Sequence, residues 1–258
     1  MLKQPFPILE FDPDRNAFIR PSDIVQPIEI PEKCVLCFFA EAIEKIIAEY
    51  PYKILARFNA ESFKVPVYEL DYRGEKIALV QAGVGAPIAA GQIEELTEKG
   101  CKKFIVCGSC GVLQKEIAVG HLIIPTAAVR DEGTSYHYAP PSREISVDEH
   151  MVLAIADALT EMKIPHIKAK TWTTDAIFRE TPAKIQQRKA EGCVTVEMET
   201  AAYIAVARYN NVEFGQILYA GDDLGGDEWD SRNFNTQTEI REFVLRTTLD
   251  ICSTLRAG

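Results

Sequence analysis

The sequence predicts a single α/β domain of three layers (α/β/α), in which helices cover both faces of a central mixed β-sheet. Short apolar, β-prone runs alternate with amphipathic helical runs from residue 34 onwards, and this alternation is typical of that fold class. The chain has 258 residues, of which 47% are hydrophobic and 26% charged, which is enough for one large core. No repeat or linker interrupts the pattern. We therefore expect residues 34–258 to form one domain.

Residues 1–33 are predicted to form an irregular N-terminal arm. They contain six prolines, and proline interrupts both helices and sheets. The sequence leaves open whether the arm packs on its own domain or on a neighbouring subunit.

Eight short runs are rich in apolar and β-branched residues and are predicted to be strands. Two of them flank Arg73-Gly74, a turn dipeptide that predicts a hairpin. The others lie next to helical stretches, as expected for the buried strands of a mixed sheet. The predicted strands are 35–39, 65–70, 76–81, 104–107, 122–125, 167–171, 195–196 and 215–220.

Six stretches have the 3.6-residue periodicity of helices. Pro87 and Gly100 mark the two ends of one of them, as is usual for these residue types. Thr236 with Glu239 three residues later predicts a capping box at the start of the last helix. The predicted helices are 40–50, 88–99, 149–162, 182–191, 198–209 and a final helix from residue 236.

Charge and composition exclude several classes of function. The net charge of -10 argues against a nucleic-acid-binding surface. The sequence has neither an apolar run of membrane-spanning length nor the pattern of a secretory signal. Seven cysteines are an odd count, and their spacing does not resemble a disulfide framework. We therefore expect a reduced, cytoplasmic protein that contacts neither nucleic acid nor membrane.

Two Cys-x-x-Cys pairs, Cys34 with Cys37 and Cys107 with Cys110, raise the alternatives of a redox centre or a zinc site. The first pair begins an apolar strand, where alternate side chains point to opposite faces, and neither pair has the usual neighbours of a zinc knuckle. Buried, inert thiols are the favoured interpretation, and no metal site is predicted.

The most informative segment is Val196-Glu197-Met198-Glu199, at the junction of a predicted strand and a helix. Carboxylates in such a buried position are costly unless a polar group binds them. A ribose diol is a suitable partner, because a carboxylate accepts hydrogen bonds from both hydroxyls, while the Met side chain offers a soft apolar face to a sugar. The alternative is that these acids lie in the first turn of a helix, where the helix dipole stabilises negative charge.

Two glycine-rich segments follow predicted strands. Residues 82–87 read Ala-Gly-Val-Gly-Ala-Pro and allow a backbone to approach an anion at a helix N-terminus. A dinucleotide fingerprint needs a third glycine where Ile88 stands, so a tight turn is as good an interpretation. Residues 107–113 contain Ser109, whose hydroxyl and nearby N–H groups are suited to an oxyanion.

A third segment, residues 219–228, carries Asp222 and Asp223 in a glycine-rich turn after the last predicted strand. Burial or the second carboxylate raises the pKa of such an acid, which then donates a proton to a leaving group. A solvated acidic turn is the main alternative; a calcium loop lacks the required spacing of acids. Two further loops, 132–138 with His137 and 172–179, offer aromatic and cationic groups.

Taken together, these motifs resemble the nucleoside phosphorylase family, which includes uridine phosphorylase and the hexameric bacterial-type purine nucleoside phosphorylases. The resemblance covers roughly residues 76–224, and the combination of Gly-Ser-Cys-Gly at 108–111 with Val-Glu-Met-Glu at 196–199 is its specific part. It implies a three-layer α/β fold, phosphate as co-substrate, no metal or organic cofactor, and assembly into homodimers or homohexamers.

The resemblance also implies roles for individual residues. Glu199 holds the ribose hydroxyls, Met198 packs on the sugar, and Glu197 lies beside them. Asp222 matches the acid that protonates purine N7, which uridine phosphorylases lack, although Asp223 leaves the register open. Gly108 and Ser109 bind phosphate, and the base lies against Trp172, Cys110 and Gly111.

Three features of the family are missing here. The first phosphate loop, Gly-Asp-Pro followed by Arg, is replaced by residues 37–42, and Val106 stands where an Arg often precedes Gly-Ser-Cys-Gly. The N-terminal histidine that a neighbouring subunit lends to the ribose is also absent. Candidates for the replacements are the cations Arg57, Arg130 and Arg179, and His137 for the histidine.

The leading functional hypothesis is reversible phosphorolysis of a purine nucleoside to the free base and ribose 1-phosphate. The alternatives are a nucleoside hydrolase of the same superfamily, a uridine-specific phosphorylase, and a nucleoside-binding protein without turnover. The missing arginines favour hydrolysis, Ser109 favours phosphorolysis, and the fold class excludes none of the alternatives.

Overall fold

Ten strands form one mixed sheet in the computed structural model, which describes residues 3–61 and 63–255. The fold class predicted from the sequence, a single α/β domain around a mixed sheet, is confirmed. The strands are β1 Lys33–Cys37, β2 Tyr52–Asn59, β3 Lys64–Tyr72, β4 Glu75–Gln81, β5 Lys103–Val112, β6 Leu122–Asp131, β7 Glu144–Ser146, β8 His166–Thr174, β9 Cys193–Glu197 and β10 Glu213–Asp223.

Eight α-helices accompany the strands within the described ranges, together with three short 3-10 turns, Pro7–Leu9, Ile177–Arg179 and Phe234–Thr236. Residues 3–32 hold only the first of these turns and α1. The helices are α1 Pro21–Ile24, α2 Ala40–Glu49, α3 Ala86–Lys99, α4 Ser135–Tyr138, α5 Glu149–Glu161, α6 Pro182–Ala190, α7 Thr200–Tyr209 and α8 Thr238–Thr254. No helix of the described residues is both long enough and apolar enough to cross a membrane.

The sheet closes on itself at one end. Its strand order is β2-β3-β4-β1-β5-β9-β8-β6-β10, β7 adds to β6, and β10 pairs with β5 as well as with β6. The five strands β5, β9, β8, β6 and β10 therefore form a closed ring, and β1 to β4 extend from it as an open sheet. The ring is mixed, since β10 is parallel to β5 but antiparallel to β6.

Two groups of helices cover the sheet. Helices α2 and α8 pack together, and α8 lies on β1, β4 and β5, whereas α7 packs on α3, α4, β6 and β10. One continuous apolar core connects strands and helices and includes the fully buried Leu36, Leu79, Ile93 and Phe104. Burial of such side chains is the main stabilising contribution, about 1.5–3 kcal/mol each.

The predicted hairpin is confirmed. β3 and β4 are antiparallel and joined at Arg73-Gly74, whose φ angles of 55° and 89° are those of the tight turns that match the twist of paired strands. The edge strand β2 was missed, although Tyr52, Ile54, Ala56 and Phe58 alternate with mostly polar residues as expected for a strand. Most of its side chains are exposed.

Seven strands are longer than predicted: β3, β4, β5, β6, β8, β9 and β10. β5 continues through Gly108 and Gly111, and β10 through Gly221, Asp222 and Asp223, residue types that are depleted in strands. Neighbouring strands hold these extensions in the ladder. The predicted capping box is wrong: α8 begins at Thr238, and the Thr236 hydroxyl donates to the Asn233 carbonyl at 3.0 Å inside the preceding 3-10 turn.

Candidate active site

A cavity of about 790 Å³ opens where β5, β9 and β10 end. This volume is within the range of small-molecule sites, about 300–1,000 Å³. Its apolar wall is partly aromatic, and its charged side chains are six carboxylates and one guanidinium. The aromatic residues are Phe38, Phe39, Phe178, Trp229 and Phe234, and the charged ones are Glu180, Glu197, Glu199, Asp222, Asp227, Glu228 and Arg241.

Glu197 and Glu199 lie two residues apart but have different partners. Glu197 Oε2 accepts from the backbone N–H groups of Glu199 and Thr200 at 2.7 and 2.6 Å, and its Oε1 accepts from the Thr173 hydroxyl at 2.6 Å. Oε2 thus holds the N-terminus of α7, where the dipole favours an acid, while Oε1 is held by β8. The expected ribose contact of Glu197 is corrected: its carboxylate is engaged by the protein itself, and the interpretation as a helix first turn applies to it.

Glu199 points into the cavity. Its Oε1 accepts from the Gly85 N–H at 2.6 Å, and within the described residues no hydrogen bond engages Oε2. Burial, followed by the charge of Glu197, raises the pKa of Glu199 to about 8. Gly85 has a φ of 102° at the start of α3, a conformation that favours glycine. The Gly-x-Gly segment therefore orients a carboxylate of the cavity, which sequence reasoning did not foresee. Met198 lines the cavity beside Glu199.

The Gly-Ser-Cys-Gly segment forms the last part of β5. Ser109, Cys110 and Gly111 line the cavity, whereas Gly108 packs against Phe38, which lies 2.9 Å from the position of a Cβ at Gly108. A Cβ at Gly111 would lie 3.3 Å from Asp222 Oδ1 and 2.5 Å from Leu224, so glycine is needed there to leave room for the acid. All seven cysteines are buried and unpaired, as predicted.

The structure resolves which of the two aspartates faces the cavity. Asp223 Oδ2 pairs with Arg232 at 2.8 Å and its Oδ1 accepts from the Gly225 N–H at 2.7 Å, so this side chain builds the loop after β10. Asp222 lines the cavity, where its Oδ2 accepts from the Trp229 indole N–H at 2.7 Å. Asp222 is therefore the one of the two aspartates that lines the cavity.

A further carboxylate, which sequence reasoning missed, lies near Asp222. Glu180 lines the cavity after the 3-10 turn Ile177–Arg179. Burial and then the charge of Asp222 raise its pKa to about 7. No motif includes Glu180, and in this segment only the neighbouring Arg179 was predicted to have a role, as a cation.

Trp172 does not lie in the cavity wall, and the predicted base contact is corrected. The residue is fully buried between Leu113, Val129, Cys193 and Val196, and its indole N–H donates to Asp131 at 3.0 Å. Its strand continues to Thr174, so Trp172 lies within the sheet and not in a loop after it.

The predicted replacements for the missing cations and histidine also lie outside the cavity lining of the described chain. Arg57 is exposed on the edge strand β2, Arg179 is exposed, and His137 is exposed on α4. Arg130 is buried and donates to Ser135, Ser142 and two carbonyls. None of these four side chains lines the cavity of the described single chain, and the roles predicted for them stay predictions.

The cation that does line the cavity is Arg241, in the first turn of α8. Its guanidinium donates to the Tyr219 hydroxyl at 3.2 Å, to Glu41 at 2.7 Å and to the Phe234 carbonyl at 2.8 Å. Sequence reasoning missed it because Arg241 belongs to no motif and lies between the apolar residues Ile240 and Phe243 of the predicted final helix.

Comparisons with known proteins bear on the family and the fold of this chain. The profile of the phosphorylase superfamily matches residues 32–252. Guanosine phosphorylase of Halorubrum lacusprofundi is 28% identical over 206 residues, which cover 76% of this chain and 83% of the relative.

Two solved structures have the same fold. Uridine phosphorylase of Vibrio fischeri superimposes with a TM-score of 0.74 at 22% identity, covering 90% of this chain and 95% of the other. AMP nucleosidase of Bacteroides thetaiotaomicron gives 0.70 at 23% identity, covering 88% and 90%. The resemblance seen in the sequence is thus confirmed, and the chain belongs to the phosphorylase superfamily.

Proposed function

We propose that this protein is a nucleoside phosphorylase, a pentosyltransferase that transfers ribose from a purine base to inorganic phosphate. The observation that carries the proposal is the arrangement of Glu199 with Met198, Ser109 and Asp222 around one cavity. Each of the three polar side chains suits one part of the reaction: sugar, phosphate and base.

The proposed reaction breaks the bond between C1′ and the base nitrogen. As that bond stretches, positive charge develops on the ribose, and a phosphate oxygen forms the new bond to C1′. The bonding electron pair leaves with the base, and Asp222 is the proposed general acid that delivers a proton to purine N7 so that the base departs neutral. Glu199 accepts hydrogen bonds from the ribose hydroxyls. This chemistry requires no metal or organic cofactor.

The preference for purines is supported by Asp222, which is free to face a ligand because Asp223 and not Asp222 pairs with Arg232. The guanosine phosphorylase relative acts on a purine nucleoside, as its name states. Glu180, close to Asp222, is a second acceptor suited to N–H groups of a base.

Hydrolysis is a second candidate function, because residues 37–42 lack the arginine-bearing loop and place Phe38 and Phe39 in the cavity wall. The fold relative AMP nucleosidase has a name that denotes hydrolysis, so the fold alone does not exclude it.

The site is proposed to work in a homo-oligomer, dimer or hexamer. The cavity rim carries apolar side chains that are largely exposed in the single chain, Phe178 at 95%, Val84 at 65% and Trp229 at 61%, and such patches commonly mark interfaces. The seven unpaired thiols support the proposed cytoplasmic location.

Product analysis tests the proposed function. The protein is incubated with inosine, guanosine, adenosine and uridine, each with and without phosphate, and the sugar product is identified. We expect base release that requires phosphate, yields ribose 1-phosphate and is fastest with a purine. Free ribose without phosphate would establish the hydrolase, and rapid uridine cleavage would remove the purine assignment.

A further inference from the structure

One corner of the cavity has a composition suited to an anion. Phe39, Ser109, Phe234 and Arg241, together called the Arg241 corner, lie at the cavity wall. Backbone packing brings them close: a Cβ at Gly221 would lie 3.6 Å from Ser109 Cβ and 3.8 Å from Phe234 Cβ. Among the described residues that line the cavity, Arg241 is the only cation.

The guanidinium of Arg241 is held in place from several sides. Its Nη2 donates to the Phe234 carbonyl at 2.8 Å, its Nε to the Tyr219 hydroxyl at 3.2 Å, and it lies 5.3 Å from the centroid of the Phe39 ring. The side chain is 16% exposed. A preorganised guanidinium of this kind loses little entropy when it binds an oxyanion.

Two hydroxyl groups lie near the guanidinium. Ser109 and Tyr219 are register partners on the parallel strands β5 and β10. Tyr219 is fully buried behind the wall and orients Arg241 by accepting from its Nε, whereas Ser109 lines the cavity together with Arg241. Hydroxyl and guanidinium donors together match the several acceptor oxygens of a phosphate.

The remaining partner of Arg241 is an acid. Arg241 Nη1 donates to Glu41 Oε1 at 2.7 Å, and Glu41 belongs to the segment that replaces the family's first phosphate loop. This carboxylate occupies a donor that a phosphate oxygen also requires. Glu41 therefore both holds the guanidinium of Arg241 in place and competes with the anion for it.

We propose that Arg241, oriented by the Tyr219 hydroxyl, binds the phosphate co-substrate together with the Ser109 hydroxyl, and that Glu41 opposes this binding by pairing with the same guanidinium. The inference rests on the proposed function and assigns the cation that the sequence lacks at the expected positions. It predicts opposite effects for the two partners of one ion pair: loss of Arg241 weakens phosphate binding, and loss of the Glu41 charge strengthens it.

The test measures initial rates against phosphate concentration at saturating purine nucleoside, and the thermal shift that phosphate alone produces. The variants are Arg241→Gln, Glu41→Gln and Tyr219→Phe. The matched control is the pair Arg246→Gln and Glu49→Gln, because Arg246 and Glu49 also join α8 to α2 through an ion pair of 2.7 Å but do not line the cavity.

We expect Arg241→Gln to raise the phosphate KM roughly ten- to hundredfold and to abolish the thermal shift, while the nucleoside KM changes by less than about twofold. Tyr219→Phe removes only the hydroxyl that orients Arg241, and it serves as a second test if Arg241→Gln does not fold. We expect it to raise the phosphate KM about threefold. Glu41→Gln lowers it about threefold or more. The two control variants leave it at the wild-type value.

Two results overturn the inference in different ways. If the wild type requires phosphate but Arg241→Gln and Tyr219→Phe match the controls, phosphate binds elsewhere and the proposed function stands. If the wild type releases base equally well without phosphate and phosphate produces no thermal shift, the proposed function fails and the inference with it. A rise in phosphate KM for Glu41→Gln would show that Glu41 braces the site without competing.

Discussion

The ends of β9 and β10 each carry two carboxylates, and the two ends distribute them in the same way. At the end of β9, Glu197 binds the first turn of α7 while Glu199 faces the cavity. At the end of β10, Asp223 binds Arg232 and the following loop while Asp222 faces the cavity. One acid of each pair builds the turn that presents the other.

The difference between the two ends is the degree of burial. Glu199 is 6% exposed, and the neighbouring acid Glu197 lies beside it, so burial raises its pKa to about 8. Asp222 is held instead by the indole of Trp229 on an exposed loop. The acids at the β9 end are thus almost fully buried, whereas the β10 end combines an acid with a loop that reaches solvent.

The largest expected effect is on the chemical step. Asp222→Asn removes the proposed proton donor, and we expect kcat for a purine nucleoside to fall by about 10²–10⁴-fold with little change in KM. Steady-state kinetics with inosine measure this. The matched change Asp223→Asn should lower the melting temperature, through the lost charge pair with Arg232, and leave kcat within about tenfold. Equal kcat losses in both variants would contradict the division of roles.

The next largest effect is on folding stability. Glu197→Ala leaves the N–H groups of Glu199 and Thr200 and the Thr173 hydroxyl without their acceptor, and unsatisfied buried groups cost about 1–3 kcal/mol each. We expect the free energy of unfolding in urea to fall by about 3 kcal/mol or more. A loss below about 1 kcal/mol would indicate that water or another acceptor replaces the carboxylate.

A smaller, pH-dependent effect is expected at Glu199. Its pKa of about 8 in the folded chain exceeds the usual value of a glutamate, so the folded state binds the proton more tightly than the unfolded state and loses stability as the pH rises from about 4.5 to about 8. Glu199→Gln removes this loss and keeps an acceptor for Gly85.

Melting temperatures of wild type and Glu199→Gln, measured without ligand from pH 5 to pH 9, test this sign. The advantage of the variant should grow with pH and level off above about pH 8. A constant difference across the range would mean that Glu199 is ionised throughout and that burial does not raise its pKa.

The smallest expected effect concerns the loop at the β10 end. Trp229→Phe keeps an aromatic ring and removes the hydrogen bond to Asp222, worth about 1 kcal/mol. We expect a change in purine kcat of about fivefold or less and no change in melting temperature beyond about 2 °C. A loss as large as that of Asp222→Asn would make the indole part of the proton-transfer machinery.

These pairs also mark how far the sequence predicts the structure. Local periodicity and turn residues were sufficient to predict the fold class and to locate the motifs Gly-Ser-Cys-Gly and Val-Glu-Met-Glu. Both depend only on residues that are close together in the chain. These local signals did not reveal that Glu197 and Asp223 turn towards backbone donors, since both acids of a pair have the same local signal.

Long-range placement accounts for the other differences. Trp172 looked like a loop residue because the predicted strand stopped at residue 171, whereas pairing with β6 and β9 extends it to Thr174. Arg241 reaches the cavity because α8 packs beside β5 and α2. No sequence pattern around residue 241 predicts the packing of α8, and this packing determines which cation lines the cavity.

The ring of five strands has a consequence for biosynthesis. β5 is the meeting point of β1, β9 and β10, and β10 is the last strand of the described chain to be translated. Until β10 emerges from the ribosome, β5 and β6 keep open edges, which are prone to pairing with other chains. The ring, and with it the cavity at its strand ends, therefore closes only after β10 has been translated.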